Sequence, residues 1–415
     1  MQLTLITIVL FFFLLVEDIK AQVRKTISPE KDHYLTGDTT SILGNTYERP
    51  DWKAIEINFL TSYYQQDGNN GAVTGGIGTE YLTDFTQKLS IKLPQSKKIS
   101  WNIDGAYDYY SSASTDNINN IRSSDSSSDM RSQMNIGINY KAGPLQEYGA
   151  RIGTSVEYDY TSINGGVNFS LLSRNQNTLF GFSAQGFIDK WMLIYPRELR
   201  GEVKALTDKR KSYNTALSLN QVVNKRMQIA FMAEATYMHG LLSTPFHRVY
   251  FKDSNNHTIE SLPGNRLKIP LGVRLNTYLS ERMIMRLYYR YYADDWGMDG
   301  HTASVELPIK LNRFVAIYPH YRYHTQTAVD YFKGYKEHSV SDLFYTSDYD
   351  LSELNSHSIG IGAMIHPNGG LGKMKIPLTK NSFLSLDGID IKYAYYNRST
   401  GLKAHIISIG LSMKI

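Results

Sequence analysis

Residues 79–93 read TEYLTDFTQKLSIKL. Tyr81, Phe85, Leu89, Ile91 and Leu93 fall on one side of an extended chain, and Glu80, Asp84, Lys88, Ser90 and Lys92 fall on the other. Successive side chains of a strand point to opposite faces, so this stretch is a strand with one apolar and one charged face. The same rhythm starts upstream at Trp52, where Ile55, Ile57, Phe59 and Tyr63 oppose Glu56, Asn58 and Ser62. It continues downstream, where Ile99, Trp101, Ile103, Tyr107 and Tyr109 oppose Asn102, Asp104 and Asp108.

Counting on, strands are expected near 133–141, 148–162, 167–174, 178–188, 211–222, 227–239, 267–279, 283–293, 301–310, 314–325, 356–366, 383–397 and 403–415. With the first three the total is sixteen, an even number as bacterial membrane barrels require. The connections alternate in length, as a barrel with both ends in the periplasm demands. PQSKK, NQN, VNKR, SER and LNR are tight, whereas 111–132, 189–210, 240–266 and 326–355 are long. The connection HPNGGLGKMKIPLTKN is longer than a periplasmic turn needs to be. Strands running outward end in aromatic clusters, SYYQQ, YDYYSS, VEYDYTS, YYRYYA, HYRYHT and KYAYYN, which belong at the level of lipid headgroups. The expected fold is an all-β, antiparallel up-and-down barrel in the outer membrane, with lipid around it.

Composition agrees. The 415 residues include 31 tyrosines, 31 glycines and no cysteine. Mean hydropathy is −0.34, as expected where apolar residues occupy alternate positions only. Without cysteine there is no disulfide and no thiol for lipid attachment. The apolar run Leu3–Val16, followed by Glu17, Asp18, Lys20 and Ala21, reads as an export signal over 1–21, although it lacks an early Lys or Arg and carries the bulky Ile19. The run is short of the roughly 20 residues of a spanning helix. Residues 22–50 show no sustained period and read as a periplasmic arm, leaving 51–415 for the barrel. The formal charge of +5 becomes +6 once Glu17, Asp18 and Lys20 leave, too mild for nucleic acid.

YRYYADDWGMDGHT, Tyr289–Thr302, gathers acidic residues, a tryptophan and a histidine around two glycines. Aspartate and glycine serve tight hairpins well. Three carboxylates, Asp294, Asp295 and Asp299, are also the chain's candidate ligands for a hard cation such as calcium. Acid–base catalysis by Asp294 or His301 has no pocket to support it. His320 and His324 lie about 13 Å apart on a strand at ~3.3 Å per residue, too far to share an ion. No GxSxG, HExxH or glycine-rich phosphate loop occurs, so neither an enzyme nor a cofactor is expected.

With the apolar face toward lipid, the lumen receives an acidic wall from strands one to five and a basic wall from strands ten to thirteen. The first comprises Glu56, Glu80, Asp84, Asp104, Asp108, Glu157 and Asp159, interspersed with Lys88, Lys92 and Arg151. The second comprises Lys268, Arg274, Arg286, Arg290, His320, Arg322 and His324, opposed mainly by Glu306. Two outcomes stay open. A sixteen-stranded barrel normally holds water, and its walls then act on passing polar or charged solutes. Alternatively the walls, bridged by the loop at 326–355, pair across the interior and close it.

The last strand, AHIISIGLSMKI, alternates to the end, and Ser408, Gly410, Met413 and Ile415 resemble the C-terminal signal read by the barrel-assembly machinery, with Ile415 replacing the usual phenylalanine. Finally, YRYYADDWGMDGHT, VELPIKLNRFVAIYPHYRYHTQTAVDYF and YTSDYDLSELNSHSIGIG, spanning roughly 283–365, resemble a family of bacterial proteins of unknown function predicted to be outer-membrane β-barrels. The resemblance implies the barrel and the membrane but no catalytic residue. Genes of that family often neighbour those of a flavin-transferring enzyme and a thioredoxin-like protein, which implies a part in envelope redox or metal handling. A channel for small polar solutes is the expected role. An assembly subunit that docks protein partners through its external loops or periplasmic arm is the alternative.

Overall fold

The computed structural model describes residues 54–112, 128–199, 206–367, 369–375 and 383–415. The export segment, the N-terminal arm and the centre of the serine-rich loop lie outside the described residues. Sixteen strands make the wall. They are β1 (Glu56–Asp67), β2 (Leu82–Pro94), β3 (Ile99–Ser112), β4 (Ser128–Lys141), β5 (Gln146–Val156), β6 (Tyr160–Leu172), β7 (Thr178–Leu193) and β8 (Leu206–Asn224). The second half comprises β9 (Met227–Gly240), β10 (Asn265–Tyr278), β11 (Ile284–Asp294), β12 (Asp299–Glu306, continued by Ile309–Lys310), β13 (Val315–Gln326), β14 (Leu354–Ile365), β15 (Phe383–Arg398) and β16 (Lys403–Lys414). Each strand pairs antiparallel with the next, and β1 pairs with β16 from Glu56↔Lys414 to Asp67↔Lys403, so the sheet closes. Ile55 and Ile415 exchange backbone hydrogen bonds of 3.1 and 3.0 Å, which carries the seam to the last residue. Closure leaves no unpaired edge, the condition a sheet must meet in hydrocarbon.

Register turns the alternation of the sequence into two surfaces. Phe59 sits between Leu89 and Leu411, and Tyr63 between Phe85 and Ile407, on the outer surface. Many side chains of this surface are exposed, as Ile152 at 71% and Ile359 at 61% illustrate, while Ile91 and Leu93 on the same face of β2 are buried. The hydrophobic effect that would bury the exposed ones in a soluble protein is met here by lipid. Three consecutive hairpins repeat one decoration at the outer rim. The hydroxyls of Tyr289, Tyr321 and Tyr393 reach Nδ1 of His301, His357 and His405 at 2.8, 2.8 and 2.9 Å. Tyr291, Tyr323 and Tyr395 pack on the same imidazoles at ring distances of 5.2–5.3 Å. This is the aromatic girdle anticipated from the tyrosine clusters.

The division between the fifth and sixth strands differs from the sequence reading. The chain turns at 157–159, closed by Glu157 N–H donating to the Tyr160 carbonyl at 2.7 Å, and β6 runs through 163–166. Alternation passes unbroken through that turn, which contains neither glycine nor proline. The gap left at 163–166 between the two expected strands lies inside a strand instead. Gly166 faces Arg151, and its missing side chain leaves room for the guanidinium. The long connection HPNGGLGKMKIPLTKN contains a short strand, Gly372–Lys375, paired with β15.

Candidate functional site

Among the described residues the fully buried bulky side chains, His338, Val249, Thr346 and Pro196, lie in connections outside the sixteen wall strands, not on them. A polar cavity of about 530 Å³ lies against β2–β7, lined by Lys88, Asp104, Arg131, Asn135, Arg151 and Asn164 among others.

The anticipated wall charges distribute as follows. Glu56 lies 3.7 Å from Lys92, Asp84 accepts a 2.8 Å hydrogen bond from Thr86, and Asp108 stands opposite Arg131 in the ladder. Asp104 lines the cavity. Glu80, Glu157 and Asp159 sit above the wall, in external connections. Glu157 lies 3.5 Å from Arg131, and Glu80 lies 3.7 Å from Arg398. Burial raises the Glu80 carboxyl above its usual range, Arg398 opposes that, and Asp350 and Asp348 add to it.

On the other side, Arg286 pairs with Glu306 at 2.7 Å, while Arg274 and Arg290 lie over the rings of Tyr288 and Tyr292. His324 shares a 2.9 Å hydrogen bond with Thr302, and Arg322 stands between Ser304 and Ser358. His320 occupies the space left by Gly360. Lys268 stands between Thr236 and Asp294. The wall pairs Glu56–Lys92 and Arg286–Glu306 both join neighbouring strands rather than opposite walls. Neither of these two pairs spans the lumen.

Two buried clusters went unanticipated. Arg210 reaches Asp189 at 2.8 Å and lies 5.4 Å from the Trp191 ring, while Tyr160 donates to the same aspartate at 3.0 Å. Arg266 reaches Asp294 at 2.5 Å and lies 4.2 Å from the Trp296 ring, while Tyr292 donates to that aspartate at 2.7 Å.

The second cluster shows what DDWGMDG does. Asp294 Oδ1 accepts from the backbone of Trp296 and Met298 at 3.0 and 3.1 Å, and Gly297 takes a φ of +85° in the turn. Asp295 caps Leu267 N–H at 2.9 Å, and Asp299 accepts from Tyr291 at 2.7 Å. The three candidate metal ligands thus serve three different partners. Trp296 and Met298 instead form a hydrophobic cluster with Leu262 and Val329.

That cluster is the floor of a cap, built from the connections 68–81, 241–264 and 327–353 with Glu198. Arg248 donates to the Val73 carbonyl at 2.6 Å and to Glu198 at 2.6 Å. Ser339 donates to Asp253 at 2.7 Å, and Ser261 and Tyr345 form an antiparallel bridge. The connection after β1 and the connection after β9 are rooted eight strands apart in a ring of sixteen. Loops rooted on opposite sides can touch only by crossing the mouth, so the cap lies over the lumen. At its centre His247 Nδ1 stands 3.7 Å from Glu260 and 3.8 Å from Asp348.

The sequence profile of a family described as "Protein of unknown function (DUF3570)" matches residues 102–373, more than half of the chain. No curated protein matches. Among solved structures, the siderophore receptor PirA from Pseudomonas aeruginosa shares 10% identity at a TM-score of 0.41, covering 88% of this chain and 81% of that one. A bacterial polysaccharide outer membrane secretin shares 8% identity at 0.44, covering 87% and 98%. OccK1 (OpdK) of Pseudomonas aeruginosa shares 6% identity at 0.39, again covering 87% and 98%. At such similarity none of them assigns a substrate to this chain.

Proposed function

The chain belongs to this family of proteins of unknown function, and from that premise we propose that it is a capped outer-membrane channel for small polar or charged solutes. The observation that carries the reading is the meeting of loops from opposite sides of the ring above a charged lumen whose wall pairs are local. A sixteen-stranded barrel is wide enough for an aqueous path. Walls of opposite character impose a field across that path and select solutes by charge. The cap supplies the reason for a closed resting state, since its loops pack around the fully buried side chains of Val249, His338 and Thr346.

Charge reversal tests the lumen. Among the described residues Arg290 and Arg322 make no ion pair, so Arg290→Glu with Arg322→Glu changes the field of the wall without breaking a pair such as Arg286–Glu306. In planar bilayers the double variant is expected to shift the reversal potential under a salt gradient toward cation selectivity. An unchanged potential removes the basic wall from the path. A native chain that never conducts, even with the cap loosened, favours the assembly-subunit role instead.

A further inference from the structure

Among the described residues, His247, Glu260 and Asp348 are the group of three whose ligand atoms all lie within 4.8 Å of one another. Their surroundings are built. His247 Nδ1 is inaccessible to water and has no hydrogen-bond partner. It points between the two carboxylates at 3.7 and 3.8 Å, too far for hydrogen bonds. Metal bonds of about 2.1 Å place ligand atoms roughly 3.0–4.2 Å apart, which brackets both separations.

The carboxylates are aimed from behind. Glu260 Oε2 accepts from Thr244 N–H at 2.7 Å, and its Oε1 accepts from the Thr346 hydroxyl at 2.5 Å. Asp348 Oδ1 accepts from Asp350 N–H at 2.9 Å, and Asp348 N–H donates to the Thr346 hydroxyl at 3.1 Å. A single buried hydroxyl thus ties the Glu260 carboxylate to the Asp348 backbone, the kind of outer support that metal ligands receive. Glu260 N–H donates to the His247 carbonyl at 2.9 Å, fixing the spacing of the two ligands from one loop.

We propose that His247, Glu260 and Asp348 bind a first-row divalent transition cation that joins the 241–264 loop to the 327–353 loop. One imidazole and two carboxylates form a mixed nitrogen–oxygen donor set suited to zinc or manganese, and the imidazole disfavours calcium and magnesium. The net charge of two carboxylates balances a divalent ion. Burial of two acids side by side is otherwise costly, which gives the site a reason to fill. Binding is independent of the channel reading, because it is measured without conductance.

The test uses tag-free, full-length protein folded in detergent and titrated with Zn²⁺ by calorimetry. One tight equivalent is expected. Asp348→Asn and His247→Ala should each weaken it at least about tenfold, since even outer-support changes cost that much. Folding of each variant is read from the heat-modifiable gel migration of the barrel. Zn²⁺ should also slow proteolysis of both loops in the native chain and in neither variant. Absence of zinc binding, or binding that both folded variants retain, overturns the site and leaves the cluster a metal-free contact. Should one variant fail to fold, the other decides.

Discussion

Asp294 has a side chain with no exposed surface and is gripped by Arg266, Tyr292 and two backbone amides at once. Removing it leaves a guanidinium only 10% exposed and without its partner. Uncompensated buried charges of this kind cost about 3–5 kcal/mol. Asp294→Ala is therefore expected to lower the denaturant midpoint of the folded barrel markedly, whereas Arg266→Leu with Asp294→Leu should recover part of the loss. Equal midpoints for native and Asp294→Ala proteins would show that the pair does not hold the rim. At this scale the sequence was legible in type but not in partner. The acidic turn suggests either a hairpin or a cation site, and only the fold shows Asp294, Asp295 and Asp299 turned to separate neighbours.

At the scale of elements, alternation located sixteen strands because lipid on one side and water on the other impose a period of two. It misjudged the ends for a physical reason. Asp189 and Arg210 each lie one residue beyond an expected strand, as do Arg266 and Asp294. Both ion pairs sit inside the ladder, where charge looks like loop to any reading based on polarity. The cap was less legible still. Its burial depends on contacts between loops far apart in sequence, such as Arg248 with Val73, and no local period reports those.

One acid contact in the cap is sensitive to pH. Burial alone would raise Glu198, but hydrogen bonds from Arg248 and His257 lower its carboxyl from 4.5 to about 2. A lowered folded value means the contact contributes fully above the usual carboxylate range and is lost as pH falls from 4.5 toward 2. Hydrogen exchange over 245–260, corrected for intrinsic rate, should thus report a looser loop at pH 3 than at pH 6. Glu198→Gln should remove most of that difference, and a difference unaltered by the substitution would place the sensitivity elsewhere.

For the whole molecule, two kinds of stability meet. The wall is held by closed backbone pairing and by lipid, while the cap above it has its own packed core. Separate sources of stability let one part move without unfolding the other. The resemblance to a barrel family was evident in YRYYADDWGMDGHT, and the motif turns out to anchor the cap floor through Trp296 and Met298. The central claim, that this cap governs passage through the lumen, can be tested because the chain has no cysteine. Ser261 and Tyr345 exchange backbone hydrogen bonds of 3.1 and 2.7 Å, a pairing whose Cα separation of about 5.5 Å suits a disulfide. Single-channel recording of the Ser261→Cys, Tyr345→Cys variant is the most direct measurement. A cap that gates the lumen gives rare or absent openings when the pair is oxidised and native openings after reduction; identical conductance in both states would rule out gating by the cap.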